Sequence, residues 1–171
     1  MRVQLLVFNG GYGMKADNKI LNALNKVLVN SLTAINQYFL HSKMYRNEGL
    51  ESLANRSFHD SIREMKDSDK LTERILFLEG MPSFQSLNKL YIGEDTEERL
   101  KLDLKRLHEC RDELIASVAL CESEKDYVTR ELLEKVLESQ EEQIDNVEEK
   151  LGLIEKLGIQ NFLAESMQKE D

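Results

Sequence analysis

The chain has no tryptophan, one proline (Pro82), two cysteines and three histidines in 171 residues. Glycine is sparse as well. Gly10, Gly11 and Gly13 sit together near the start, and only Gly49, Gly80, Gly93, Gly152 and Gly158 follow. Many short β-strands would need more turn formers than this, so a strand-rich sandwich or barrel is excluded. Basic residues are outnumbered, 23 Lys and Arg against 32 Asp and Glu, for a net charge of −9. That balance argues against a nucleic-acid binder, which needs a basic face to displace counterions. It argues equally against docking on an anionic membrane. No apolar run approaches the roughly 20 residues that span a bilayer. The 3–8 run (VQLLVF) follows a single Arg2 and leads into NGGYG rather than a small-residue cleavage site, so no signal peptide is expected. Cys110 and Cys121 fall in one helical pattern about 16 Å apart, beyond disulfide reach. They read as small buried hydrophobes in a reducing cytoplasm.

What is present is leucine, 27 residues of it, within a composition that is 41% hydrophobic and 32% charged. This suffices for one helical domain with a core. Helical periodicity predicts a first helix over 18–47, with Asp17 as N-cap and Gly49 as stop. A second is predicted over 51–79, stopped by Gly80 and Pro82. A third is predicted over 96–122, with Glu97 and Glu98 in its first turn, and a fourth over 126–157, stopped by Gly158. A short fifth closes the chain over 159–167. Two short links make antiparallel hairpins, whereas the link over 81–95 can stretch roughly 50 Å, one helix length. A four-helix bundle with one long crossover is the expected architecture.

The first two helices carry more apolar surface than an isolated bundle uses. Beside a core-phase row, Phe58, Ile62 and Met65 form a second stripe, and Leu32 and Phe39 flank the first helix's core row. A second stripe either widens one core or meets another subunit. The core-phase rows also contain polar residues at midpoint: Ser31, Glu64, Asp67, Gln140 and Gln143, with Leu107 facing them from the third helix. A polar layer inside a bundle is costly unless its groups pair or bind something. It reads either as a hydrogen-bonded layer or as a metal site, complete or decayed.

The runs AINQYFLH (34–41), ERILFLEG (73–80), IGED (92–95) and DYV (126–128) resemble bacterioferritin, the haem-containing branch of the ferritin family. The resemblance covers about residues 14–170. It implies an all-α, ferritin-like four-helix bundle with a long crossover between its second and third helices and a short fifth C-terminal helix. It also implies a 24-subunit cytoplasmic cage that oxidises Fe(II), stores iron as mineral and binds haem b between two-fold-related subunits. Residues 1–13 have no counterpart and are expected to be an N-terminal extension or an upstream-start segment, with the ferritin-like domain over 14–171.

In the family, each bundle holds two irons with one Glu from the first helix, Glu-x-x-His from the second, Glu from the third and Glu-x-x-His from the fourth. The matching positions here are Ser31, Glu64 and Asp67, Leu107, and Gln140 and Gln143. Only Glu64 matches, so the chain is expected to lack a working ferroxidase centre, with Glu64 and Asp67 left as a weak metal site. Met65 matches the family's axial haem ligand, one thioether coming from each of two subunits. Leu32, Ile35, Asn36, Phe39, Phe58, Ile62, Lys66 and Phe84 match or flank the haem-lining region. Met81, Leu90, Glu94 and Glu98 match the surface where a small ferredoxin donates electrons. His59 matches an iron position inside the shell, but its acidic companion is replaced by Arg63, so iron conduction there is not expected. The resemblance therefore implies a haem-carrying, non-catalytic subunit that co-assembles with a catalytic one and aids iron release. The alternatives are a structural homo-oligomeric cage subunit, or an oxidase with a reduced iron site at Glu64 and Asp67.

Overall fold

The computed structural model describes residues 17–167; the segment 1–13 lies outside the described residues. Five helices follow in order: α1 Asn18–Asn47, α2 Glu51–Phe77, α3 Thr96–Ser123, α4 Tyr127–Leu157 and α5 Ile159–Ser166. Local chemistry sets their ends. Asp17 caps α1 by accepting from the Lys19 amide at 3.1 Å, and Asp95 caps α3 by accepting from the Glu98 amide at 2.9 Å. Gly49 turns the chain at φ 78°, which lets the Leu50 amide return to the Tyr45 carbonyl at 2.9 Å. The second helix ends at Phe77, two residues short of the expected 79. Glu79 takes φ 60°, and the Gly80 amide closes onto the Ile75 carbonyl at 2.9 Å.

The α1–α2 and α3–α4 links are three residues each, so each pair is an antiparallel hairpin. The crossover runs beside α1 from one end to the other. Asn25 accepts from the Ser83 amide, Thr33 from the Asn88 amide, Gln37 from the Tyr91 amide, and Glu48 pairs with Arg99. Since α2 ends beside the start of α1, this path delivers α3 to the far end, and α3 runs parallel to α2. No helix of the described residues is long and apolar enough to cross a membrane.

The core is split in two. One apolar cluster gathers Leu24, Leu28, Leu71, Ile75, Leu114 and Leu133. The other gathers Ala34, Tyr38, Leu53, Leu107, Ile144 and Val147, and Phe162 of α5 joins it. Between them lies a buried polar layer of Ser31, Ser61, Glu64, Asp67, Ser68, Ser117, Gln140 and Gln143. Cys110 and Cys121 are buried and free.

Candidate functional site

The polar layer brings together all six positions that the resemblance singles out. Glu64 is fully buried, Ser31, Leu107, Gln140 and Gln143 are nearly so, and Asp67 lies at the edge. Gln140 Nε2 donates to Glu64 Oε1 at 2.6 Å. Asp67 Oδ1 accepts from Lys70 Nζ at 3.5 Å, one turn along its own helix. Glu64 Oε2, Asp67 Oδ2, Gln140 Oε1 and Gln143 Nε2 are buried with no hydrogen-bond partner. The layer is partly paired: Glu64 and Gln140 bond each other and Asp67 bonds Lys70, while one oxygen of each acid is left over. Burial pushes the Glu64 carboxyl up to about 7; the nearby Ser31 hydroxyl opposes this, the Asp67 charge adds to it, and Gln140 and Gln143 oppose it. Burial raises Asp67 too, against Lys70.

This donor set does not fit two irons. A bridged pair of Fe(II) ions carries four positive charges, and the layer offers two carboxylates, two neutral amides and a leucine. No cluster of three or more His, Cys, Asp or Glu able to hold a metal occurs among the described residues. Glu109, Glu141 and Glu142 point away, toward Arg106, Arg111 and Arg63 respectively.

The second stripe is a surface. On α2, Phe58 and Ile62 are half-buried and Met65 is 52% exposed; on α1, Leu32 and Ile35 are half-buried and Phe39 is 46% exposed. The Phe39 and Phe58 rings lie 6.5 Å apart, with Lys43 Nζ 5.0 Å over Phe39. Asn36 is exposed and turns its amide back to the Leu32 carbonyl at 2.8 Å, and Lys66 is exposed beside Met65. Phe84, 55% exposed, stands on the crossover next to Ser83, which Asn25 anchors. An apolar stripe carrying a soft, uncharged thioether suits a flat apolar macrocycle whose iron accepts sulfur. The residues present fit such a group.

Met81, Leu90, Glu94 and Glu98, expected at a docking surface, do not form one patch on a single chain. Met81 is exposed, and its carbonyl accepts from Asn25 Nδ2 near the start of α1. Glu94 and Glu98 meet at the far end, where the Glu94 amide donates to Glu98 Oε2 at 2.7 Å. Leu90 lies between, half-buried.

Sequence reasoning missed the lock that holds the crossover. His41 Nδ1 meets Asp103 Oδ1 at 2.9 Å, and Gln37 Nε2 donates to the same oxygen at 2.7 Å. His41 Nε2 accepts from the Gly93 amide at 3.4 Å. The ring therefore carries its proton on Nδ1, toward the carboxylate. The signal for it is Gln37 and His41, four residues apart on the buried face of α1.

Four long helices, a crossover beside the first and a polar layer at midpoint define the ferritin-like class. The family model for the ferritin-like domain matches residues 21–157. The chain is 38% identical to bacterioferritin of Mycobacterium avium over 156 residues, 91% of this chain and 98% of that one. It is 40% identical to a bacterial ferritin of Synechocystis over 155 residues, 90% and 99%. It is 36% identical to bacterioferritin of Brucella melitensis over 149 residues, 87% and 92%. The chain belongs to the ferritin family, on its bacterioferritin branch.

Proposed function

We propose that this chain is a bacterioferritin-type subunit of a cytoplasmic, 24-subunit iron-storage cage, one that binds haem through Met65 and does not itself oxidise iron. It shares the cage with a catalytic subunit, which loads ferric mineral, and it helps electrons reach that mineral when iron is released. The observation that carries this reading is the contrast within one turn of α2. Glu64 faces a layer with too few anions for two irons, while its neighbour Met65 faces outward on an apolar stripe.

When bound, the haem would supply a one-electron carrier, and two thioethers would favour its reduced state. The chain's own part is to present Met65 without a competing polar ligand. Phe39, Phe58, Ile62, Leu32 and Ile35 would hold such an apolar ring and exclude water from it. Lys66, exposed beside Met65, would offer a positive charge to the ring's acidic substituents. Electrons would arrive from a ferredoxin at the surface carrying Met81, Leu90, Glu94 and Glu98, which a single chain does not unite and neighbouring chains would complete.

The test is aerobic Fe(II) oxidation by cages of this chain alone, beside the haem absorbance of the Met65→Leu variant. Slow oxidation without a stoichiometric phase, and loss of the haem band in the variant, are expected. A fast phase near two irons per chain would refute the first half. An unchanged haem band would refute the second.

A further inference from the structure

A second polar cavity borders the midpoint layer, with Arg63 acting on Asp67 and Arg56, Asp60, Asn146 and Lys150 adjoining Leu107 and Gln143, but it is lined by neither Glu64 nor Met65. It is an open cleft of about 520 Å³ between α2 and α4. Arg56, His59, Asp60 and Arg63 enter it from one face of α2, at helical spacing, and Asn146 and Lys150 from one turn of α4. Of the residues lining it, Asp60 alone is acidic, in a chain whose net charge is −9. Three permanent cations in one concavity are therefore a local reversal of the chain's charge.

The partners of the two arginines leave donors over. Arg56 Nε reaches Asp60 Oδ2 at 3.3 Å, which leaves the outer nitrogens of that guanidinium for another acceptor. Arg63 Nη1 is buried without a hydrogen-bond acceptor; Glu142 Oε2, on an exposed side chain, stands 3.7 Å off. Lys150 Nζ donates to Asn146 Oδ1 at the cleft wall, which fixes its charge there. Asp60 Oδ1 also lacks a partner, and burial raises its carboxyl against the pull of Arg56 and Arg63.

We infer that this cleft is a binding site for a tetrahedral oxyanion of the inorganic phosphate class, held by Arg56, Arg63 and Lys150 with His59 at its margin. The planar forks of two arginines match phosphate oxygens, and the ammonium adds a point charge. A cation site is the weaker fit, because three fixed positive charges surround one carboxylate. The inference does not depend on haem or on lost ferroxidase activity. Free phosphate and phosphate on a ferric mineral share this chemistry, and the two arms below separate them.

Calorimetric titration of inorganic phosphate into the iron-free assembled protein, at low ionic strength, is the first arm. Saturable binding near one site per chain is expected, displaced by sulfate but not by chloride. Arg63→Gln and Lys150→Gln together should weaken it by about tenfold or more. In the second arm, phosphate retained by iron-loaded cages after gel filtration is compared between wild type and the same double variant. Binding in the first arm assigns the free ion, and variant-sensitive retention in the second arm alone assigns the mineral-bound ion. No variant-sensitive binding in either arm, with helicity and assembly intact, overturns the inference. Should the double variant fail to assemble, Arg56→Lys, which keeps the charge but loses the fork, is read in its place, and unchanged phosphate binding then overturns the inference.

Discussion

Gln140 Nε2 donates to Glu64 Oε1 at 2.6 Å across the centre of the bundle, tying α4 to α2 with a neutral amide. The pair lies between two apolar clusters. A neutral donor bonds a carboxylate but does not compensate its charge, so the acid's own protonation decides what the layer costs.

The first prediction follows from that. Burial raises Glu64 from an ordinary 4.5 to about 7. Below 4.5 both folded and unfolded chains hold the proton. Between 4.5 and about 7 the folded chain keeps a proton that the unfolded chain has released, so stability falls as pH rises. Above about 7 the loss is complete, of the order of 3 kcal/mol. Glu64→Gln keeps an acceptor for Gln140 and has no charge to bury. Denaturation midpoints measured from pH 5 to 8 should drop for the wild type relative to this variant. A difference that stays constant with pH would contradict the assignment.

The second prediction rebuilds what the layer lacks. Ser31→Glu, Asp67→His, Leu107→Glu, Gln140→Glu and Gln143→His, with Glu64 kept, restore four carboxylates and two imidazoles. The backbone already places all six positions in one buried layer. Stopped-flow oxidation should gain a rapid phase for about two Fe(II) per chain. Leu107→Glu alone should not, since three carboxylates without imidazole leave the pair unbalanced. A helical, assembled five-site variant as slow as wild type would count against charge deficiency as the cause.

Much of this arrangement is legible in the order of the residues alone. Asp17, Gly49 and Gly158 mark helix ends through a cap and positive-φ glycines, which are local chemistry. Ser31, Glu64, Gln140 and Gln143 stand out because polar residues break an apolar period. The partner choices do not stand out. Whether Asp67 faces Gln143 or Lys70 depends on side-chain reach across a packed layer, and Lys70 takes it. The crossover path is equally hidden. Asn25, Thr33, Gln37 and His41 look like ordinary polar residues of α1 until residues 81–93 lie along them. Cleft residues such as Arg56 and Lys150 lie 94 positions apart, and only the α2–α4 packing joins them.

The third prediction concerns that crossover. Asp103→Ala removes the acceptor of buried His41 Nδ1 and the nearer acceptor of Gln37 Nε2, which keeps only the Leu102 carbonyl at 3.5 Å. That should cost about 3 kcal/mol. The effect should be local first. The Tyr91 and Gly93 amides, held by Gln37 and His41, should exchange hydrogen far faster, while amides in the middle of α4 change less. Equal loss of protection everywhere would mean that Asp103 supports the whole bundle rather than this segment.

The last prediction compares two glycines with the same nominal clash. A methyl group at Gly93 would sit 2.5 Å from the Arg99 backbone nitrogen and 2.8 Å from its Cα, on the first turn of α3. A methyl at Gly80 would sit 2.5 Å from Leu21 Cδ2, the end of a flexible side chain, with Ile75 Cγ2 at 3.1 Å and the Ile75 carbonyl oxygen at 3.3 Å, contacts that need shifts of only a few tenths of an ångström. Leu21 can rotate away; a helix backbone cannot. Gly93 is further pinned, because its carbonyl accepts from Arg99 Nε at 3.1 Å and its amide donates to His41. Moving it would also disturb the Arg99 fork on Glu48, whose nearer arm is 2.5 Å. Gly93→Ala should therefore lower stability by about 2–3 kcal/mol or more. Gly80→Ala should lie within about 1 kcal/mol of wild type, since the loss of unfolded-chain freedom offsets a small adjustment. Paired denaturant titrations decide it, and an equal loss at the two positions would show that the crossover yields as readily as a leucine rotamer.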